Sequence, residues 1–157
     1  MEEIDAMRKE IQTDIRTVLS QEADAIRAIP ITEAYEEVID LIYKKVHGKG
    51  GKLIASGMGK AGHVANHMAT TFSSTGTPAL FIHPSEAQHG DLGIIRENDV
   101  LIVLSNSGKT REILELVELT AALHSGIPVV VITGNPEGPL AQQSQLVLFT
   151  GHRAPSA

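Results

Sequence analysis

Cysteine is absent from the 157 residues, so no disulfide framework, thiolate nucleophile or cysteine-ligated metal is available. Tryptophan is absent too, and aromatic residues make up only 3% of the chain. Packing therefore falls to small aliphatic side chains, as in parallel sheets covered by helices. Positive charge is in deficit: 13 Lys and Arg against 19 Asp and Glu give a net charge of −6. That balance argues against general affinity for nucleic acid or anionic membranes. No apolar run approaches the roughly 18 residues of a membrane span, and the acidic N-terminal segment does not read as a signal peptide. A cytoplasmic protein is expected. What is present suffices for a core, with 42% hydrophobic residues in a length typical of one domain. No internal repeat, low-complexity segment or linker divides the chain, so residues 1–157 are expected to form a single domain.

Residues 1–29 contain no interior Gly or Pro and carry Ile4, Met7, Ile11, Ile15, Val18 and Leu19 at spacings of three and four. This pattern predicts an amphipathic helix that packs either on a second subunit or on its own domain. After Pro30, Thr32 is placed to cap a second helix running to about His47, completing an N-terminal helical segment over 1–47. From there strand and helix alternate over a 52–149 core. Strands are predicted at "KLIAS", "PALFIH", "DVLIVLS", "IPVVVITG" and "SQLVLFT", with helices at "GKAGHVANHMATTFSS" and "TREILELVELTAALHSG". Repeated βα units of this length require parallel strands with right-handed crossovers. The expected fold is α/β, a three-layer α/β/α sandwich.

In open parallel sheets ligands sit beyond the carboxyl ends of the strands. Here those ends carry the least core-like sequence: "SGMGKAG" (56–62), "HPSEAQHGDLG" (83–93), "SNSGKT" (105–110) and "TGNPEG" (133–138). In the third tip, Ser105, Ser107 and Thr110 precede a helix start, where hydroxyl and backbone donors meet the positive end of the helix dipole. Gly108 allows close backbone approach to an anion. Simple helix capping by Ser107 or Thr110 would explain one hydroxyl; three, with Lys109 beside them, favour a phosphate.

Other motifs fit less well. Gly57, Gly59 and Gly62 match G-x-G-x-x-G, but the second strand ends at His83, with Glu86 only beyond it, a poor fit for a ribose-binding carboxylate. Lys60 is followed by Ala61 and lacks the spacing of a Walker A loop. His63 and His67 stand at i and i+4, yet residue 64 is Val, so the zinc-protease pattern fails and two surface histidines are expected. His83 and His89, with Glu86 and Asp91 between and beside them, suit either a metal or acid–base work on a sugar.

Together "GMGK", "STGTP", "HP.EA.HGDLG" and "SNSG.T.EI", with "PVVVITGNPEGPLAQQSQLVL", resemble the sugar isomerase (SIS) domain family, specifically its arabinose-5-phosphate isomerases. The resemblance spans about residues 52–149. It implies a five-stranded parallel sheet, a homotetramer, and reversible conversion of D-ribulose 5-phosphate to D-arabinose 5-phosphate for synthesis of the acid sugar Kdo of lipopolysaccharide and some capsules. By the same resemblance the catalytic residues are Lys60, Glu112 and His89. Substrate contacts fall on Ser56, Gly57, Gly59, Ser74, Gly76, Thr77, Glu86, Ser105, Asn106, Ser107 and Thr110. No cofactor is implied as required, and His83 resembles a position that binds zinc in some members. Independent chemistry agrees, because isomerisation through an enediol needs a base, an acid and charge stabilisation. Which of the three groups abstracts the proton is left open by the sequence.

Two departures stand out. Most members have Glu or a small polar residue where this chain has Lys109. The family also continues beyond the last strand with a second glutamate, a "PT-S-T" run, a helix bearing a further histidine, and often a CBS pair. None of these lies within the 157 residues, so a truncated or divergent form, weakly active or inactive, is the expectation. The competing readings are a non-catalytic domain that senses a sugar phosphate or activated sugar, and isomerisation of another phosphosugar. The loop "HPSEAQHGDLG" favours the arabinose type over the latter.

Overall fold

The computed structural model describes residues 2–87 and 89–151. These divide into two compact units, one built on the N-terminal helix and one spanning Ile31–Thr150. In the first, α1 (Glu2–Arg27) is a continuous helix whose apolar stripe extends one position beyond the expected set, to Ile26. Every member of the stripe is between 49% and 67% exposed. Among the described residues no helix is long and apolar enough to cross a membrane.

The second unit begins with α2 (Ala34–Ile42), which continues as a π-helical turn over Tyr43–His47. Thr32 does not cap it: Glu33 occupies the cap position in helical geometry, without a side-chain bond. Five strands follow: β1 (Leu53–Gly57), β2 (Ala79–Phe81), β3 (Val100–Leu104), β4 (Val129–Thr133) and β5 (Leu146–Phe149). They form one parallel sheet in the order β2-β1-β3-β4-β5. Helices α3 (Lys60–Ser74) and α5 (Arg111–Leu123) are the long crossovers; α4 (Pro84–Ala87) and α6 (Pro139–Gln142) are single turns.

Every residue of β1 and β3 is buried, so alternation along the strands sorts side chains between two faces rather than between core and water. Ile54, Leu101, Val103 and Val131 pack with Ile113, Leu116 and Val117 of α5 and Leu140 of α6. Leu53, Ala55, Val100, Ile102 and Val130 pack with Ala65 and Ala69 of α3 and Val38 of α2. Each fully buried aliphatic side chain contributes about 1.5–3 kcal/mol, and the two faces give the three layers that the sequence leads one to expect. At the amino edge, Asp99 is 1% exposed and accepts from Lys52 Nζ at 2.6 Å, Lys52 N at 2.9 Å and Arg96 N at 2.7 Å. One carboxylate thus ties together the starts of β1 and β3.

Candidate active site at the carboxyl edge of the sheet

The strand order fixes where a ligand belongs. β1 crosses to β2 on one side and β3 to β4 on the other, so the loops leaving β1 and β3 part to opposite faces and open a crevice between them. The 105–110 loop lies at one wall of that crevice. Ser105 is buried, and its Oγ lies 2.8 Å from Thr110 Oγ1. Gly108 has φ +63°, a conformation that strains any side-chain-bearing residue. Ser107 Oγ accepts from Lys109 N at 3.2 Å. The tip of β4 and the helical turn α6 pin the loop, with Asn135 Nδ2 donating to the Ser107 carbonyl at 2.9 Å and Leu140 N to the Gly108 carbonyl at 3.1 Å.

Helix α5 starts directly after this loop, and Thr110 at its cap position makes no side-chain capping bond. Capping is therefore not what the hydroxyls do. The first-turn N–H groups are left to solvent or to an anion, beside the two paired hydroxyls. Glu112 sits half-buried in that first turn, with no hydrogen-bond partner among the described residues. Its neighbour Arg111 turns to Glu115, Nε to Oε1 at 2.6 Å. That bond, then the charge of Glu115 and to a lesser degree that of Glu112, raises the guanidinium pKa above its ordinary value.

The other wall is the β1–α3 loop. A Cβ on Gly57 would stand 2.7 Å from the Ala61 carbonyl carbon, and one on Gly62 would stand 2.6 Å from the Gly57 carbonyl oxygen. The spaced glycines thus press the first turn of α3 onto the end of β1, a packing role that needs no dinucleotide. Lys60, exposed at the start of α3, lines a cleft of about 330 Å³ with Ser105, Asn106, Thr133 and Gly134. On the far side of the same loop lies a second cleft of about 300 Å³. His63, Asn66, Phe81 and His83 line it, over Gly57, Gly59 and Gly62.

The β2–β3 connection completes the edge. Ser85 Oγ approaches Met58 Sδ at 4.0 Å, bringing α4 against the tip of β1. Ala87 and Leu92 enter the core with Ile113 and Leu116, so the segment lies along α5. His83, Glu86 and His89 are exposed on this connection, and His89 N donates to the Glu86 carbonyl at 2.9 Å. Among the described residues no three His, Asp or Glu side chains converge as a metal site. His83 meets the ring of Phe81 edge-on at 6.4 Å, and among the described residues no set of zinc ligands gathers around it.

Lys60, Glu112, His89, Glu86, Gly57, Gly59 and the 105–110 loop are thus brought to one edge; Ser56 reaches that edge but turns inward, and three other residues lie elsewhere. Ser56 is wholly buried, and its Oγ donates to the Ile82 carbonyl at 2.7 Å, stitching β1 to the end of β2. Ser74, Gly76 and Thr77 lie at the opposite, amino edge, because α3 runs back along the sheet before β2 begins. There Ser74 Oγ donates to the Thr71 carbonyl at 2.8 Å, and Thr77 Oγ1 lies 3.1 Å from His47 Nε2. Sequence reasoning missed Asn135, whose only signal was its place in a β4 tip rich in turn residues. Asn66, which lines the second cleft, reads in the sequence as helix surface.

The SIS domain family model matches residues 47–156. Curated relatives include arabinose 5-phosphate isomerase KdsD of Francisella tularensis, 47% identical over 118 residues, which cover 75% of this chain and 35% of that protein. The Pseudomonas aeruginosa KdsD is 50% identical over 98 residues, 62% of this chain and 29% of that protein. The chain spans about a third of the length of these relatives. Among solved structures, a Bacteroides fragilis protein proposed to be a phosphosugar isomerase involved in capsule formation superposes with a TM-score of 0.91 at 54% identity, covering 94% of this chain and 77% of that one. An Escherichia coli CFT073 protein in complex with arabinose 5-phosphate superposes at 0.80 and 32% identity, covering 93% and 76%.

Proposed function

The chain belongs to the SIS domain family, and from that premise we propose that it interconverts D-ribulose 5-phosphate and D-arabinose 5-phosphate. In this reading the 157 residues are one SIS domain led by a helical segment, working as a cytoplasmic homotetramer in the supply of Kdo. The observation that carries the proposal is the 105–110 loop, whose hydroxyls pair with each other and leave α5 uncapped, with a carboxylate in the next turn. The names of its relatives support the same substrate.

The chemistry follows from the residues at that edge. The 105–110 loop and the first N–H groups of α5 hold the phosphate dianion. The Glu112 carboxylate removes a proton from C1 of the ketose and returns one to C2, forming the aldose through an enediol. His89 exchanges protons with the two oxygens as the carbonyl moves from C2 to C1, and the Lys60 ammonium stabilises the oxyanion that develops between these states. No redox partner is needed, since the bond changes balance within the sugar.

A thermal-shift comparison of phosphorylated and free sugars tests the anchor. Arabinose 5-phosphate and ribulose 5-phosphate are expected to raise the melting temperature at concentrations where free arabinose and ribulose do nothing. Equal stabilisation by the free sugars would contradict the phosphate site. Stabilisation by the phosphates without turnover would select the second reading, a sugar-phosphate-binding regulatory domain.

A further inference from the structure

The peptide groups of the 105–110 loop are oriented largely from outside the loop. The Asn106 carbonyl accepts from Gly134 N and the Gly108 carbonyl from Leu140 N, each at 3.1 Å. The Ser107 carbonyl accepts from Asn135 Nδ2 at 2.9 Å, and the Ser105 carbonyl from Gly108 N at 3.1 Å. The N–H groups of Asn106 and Ser107, by contrast, have no partner among the described residues. A trans peptide unit points its N–H opposite to its carbonyl, so a donor that fixes one end sets the other. Asn135 stands at the head of such a relay. Its carboxamide holds the Ser107 carbonyl, and the N–H of that same unit, Gly108 N, holds the Ser105 carbonyl. The N–H of this second unit is the unpaired one of Asn106, a residue that lines the Lys60 cleft.

We propose that Asn135 is the positioning residue of the phosphate loop, acting through two peptide units to aim the Asn106 N–H at the anion; the inference rests on the sugar-phosphate reading above. The carboxamide is itself held in place. Asn135 N donates to Thr133 Oγ1 at 3.0 Å, and Gly138 N donates to the Asn135 carbonyl at 3.1 Å. A Cβ on Gly138 would stand 2.8 Å from Asn135 Nδ2, so the glycine leaves the space that the carboxamide needs to reach Ser107. The relay requires a donor at this position. A carboxylate there would set an acceptor against the Ser107 carbonyl and bring a further negative charge towards a dianion. Hydrogen bonds in series polarise one another, so loss of the first weakens those that follow. Asn135 thus acts on the ligand through the loop, from the tip of a neighbouring strand.

The test titrates the full chain with arabinose 5-phosphate and with free arabinose by calorimetry, as wild type, Asn135→Ala, Gly138→Ala and the double variant. Each single variant is expected to bind arabinose 5-phosphate roughly tenfold more weakly. The double variant is expected to lose no more than Asn135→Ala alone, because Gly138 acts through the Asn135 side chain; two unconnected structural lesions would add. In proton–nitrogen correlation NMR of the wild type, the Asn106 amide signal is expected to move downfield as its N–H takes up a phosphate oxygen. Unchanged affinity in both single variants, additive losses in the double variant, or an Asn106 amide signal that stays in place overturns the positioning role and leaves the phosphate anchor standing. The NMR result needs no variant to fold. A wild-type chain that binds free arabinose as tightly as arabinose 5-phosphate, or binds neither, overturns the anchor and the positioning role together.

Discussion

Glu112 and Arg111 are neighbours in the chain, yet their surroundings differ. Arg111 is committed to Glu115, whereas Glu112 has no hydrogen-bond partner among the described residues and faces water only in part. A carboxylate left in that state beside an uncapped helix start is available for proton transfer. Glu112→Gln keeps the shape and removes the basic group. Turnover is expected to fall about 100-fold or more in steady-state kinetics, while phosphosugar affinity holds or tightens. If Glu112 only interacts with the helix dipole, the same change costs less than about 1 kcal/mol of stability and leaves the rate unaltered. Lys60→Ala is expected to raise KM and lower kcat together if, as proposed, the ammonium neutralises charge in both ground and transition states. At this scale the sequence was only partly legible. Residue type and spacing singled out Ser105 and Thr110, and the family resemblance pointed to Glu112, but nothing showed the inward turn of Ser56, since a hydroxyl at a strand end points to core or ligand according to its register in the sheet.

The β1–α3 unit shows what a pattern of residues can and cannot convey about an element. Three glycines stand at dinucleotide-motif spacing in surroundings that fit that motif poorly; in the structure the first and third let helix and strand approach to within backbone contact. Gly62→Ala is accordingly expected to destabilise by about 1–3 kcal/mol, read from the midpoint of urea unfolding, since the new methyl meets backbone that cannot rotate away. A midpoint equal to that of the wild type would reject this close approach. The longer elements were readable because their apolar pattern holds over several residues: the buried runs of β1, β3 and β4 and the helical stripes of α1, α3 and α5, with β2 and β5 only half-buried. The turns α4 and α6 were not, because four residues are too few to display a helical period. Nor does a hydrophobic pattern distinguish the π-helical turn at Tyr43–His47 from the α-helix it prolongs. The placement of Ser74, Gly76 and Thr77 on the amino edge is a property of the element too. It follows from the length and direction of α3, which motif matching ignores.

At the scale of the whole molecule, α1 presents an apolar stripe to solvent that a chain of net charge −6 has no evident reason to expose. The stripe motivates the homo-oligomer proposed above. Light scattering of the full chain at micromolar concentration is expected to give a mass several times that of one chain, with fewer chains per particle when residues 1–28 are removed. A monomer, or a number of chains per particle unchanged by the deletion, would contradict it.

Whether this edge of the sheet catalyses or only binds is decided most directly by proton NMR of D-ribulose 5-phosphate incubated with the chain in deuterium oxide. The account predicts appearance of D-arabinose 5-phosphate with deuterium at C2, as transfer through an enediol exposed to an exchangeable base requires. Persistence of unlabelled ribulose 5-phosphate, at concentrations where calorimetry shows it bound, would contradict it.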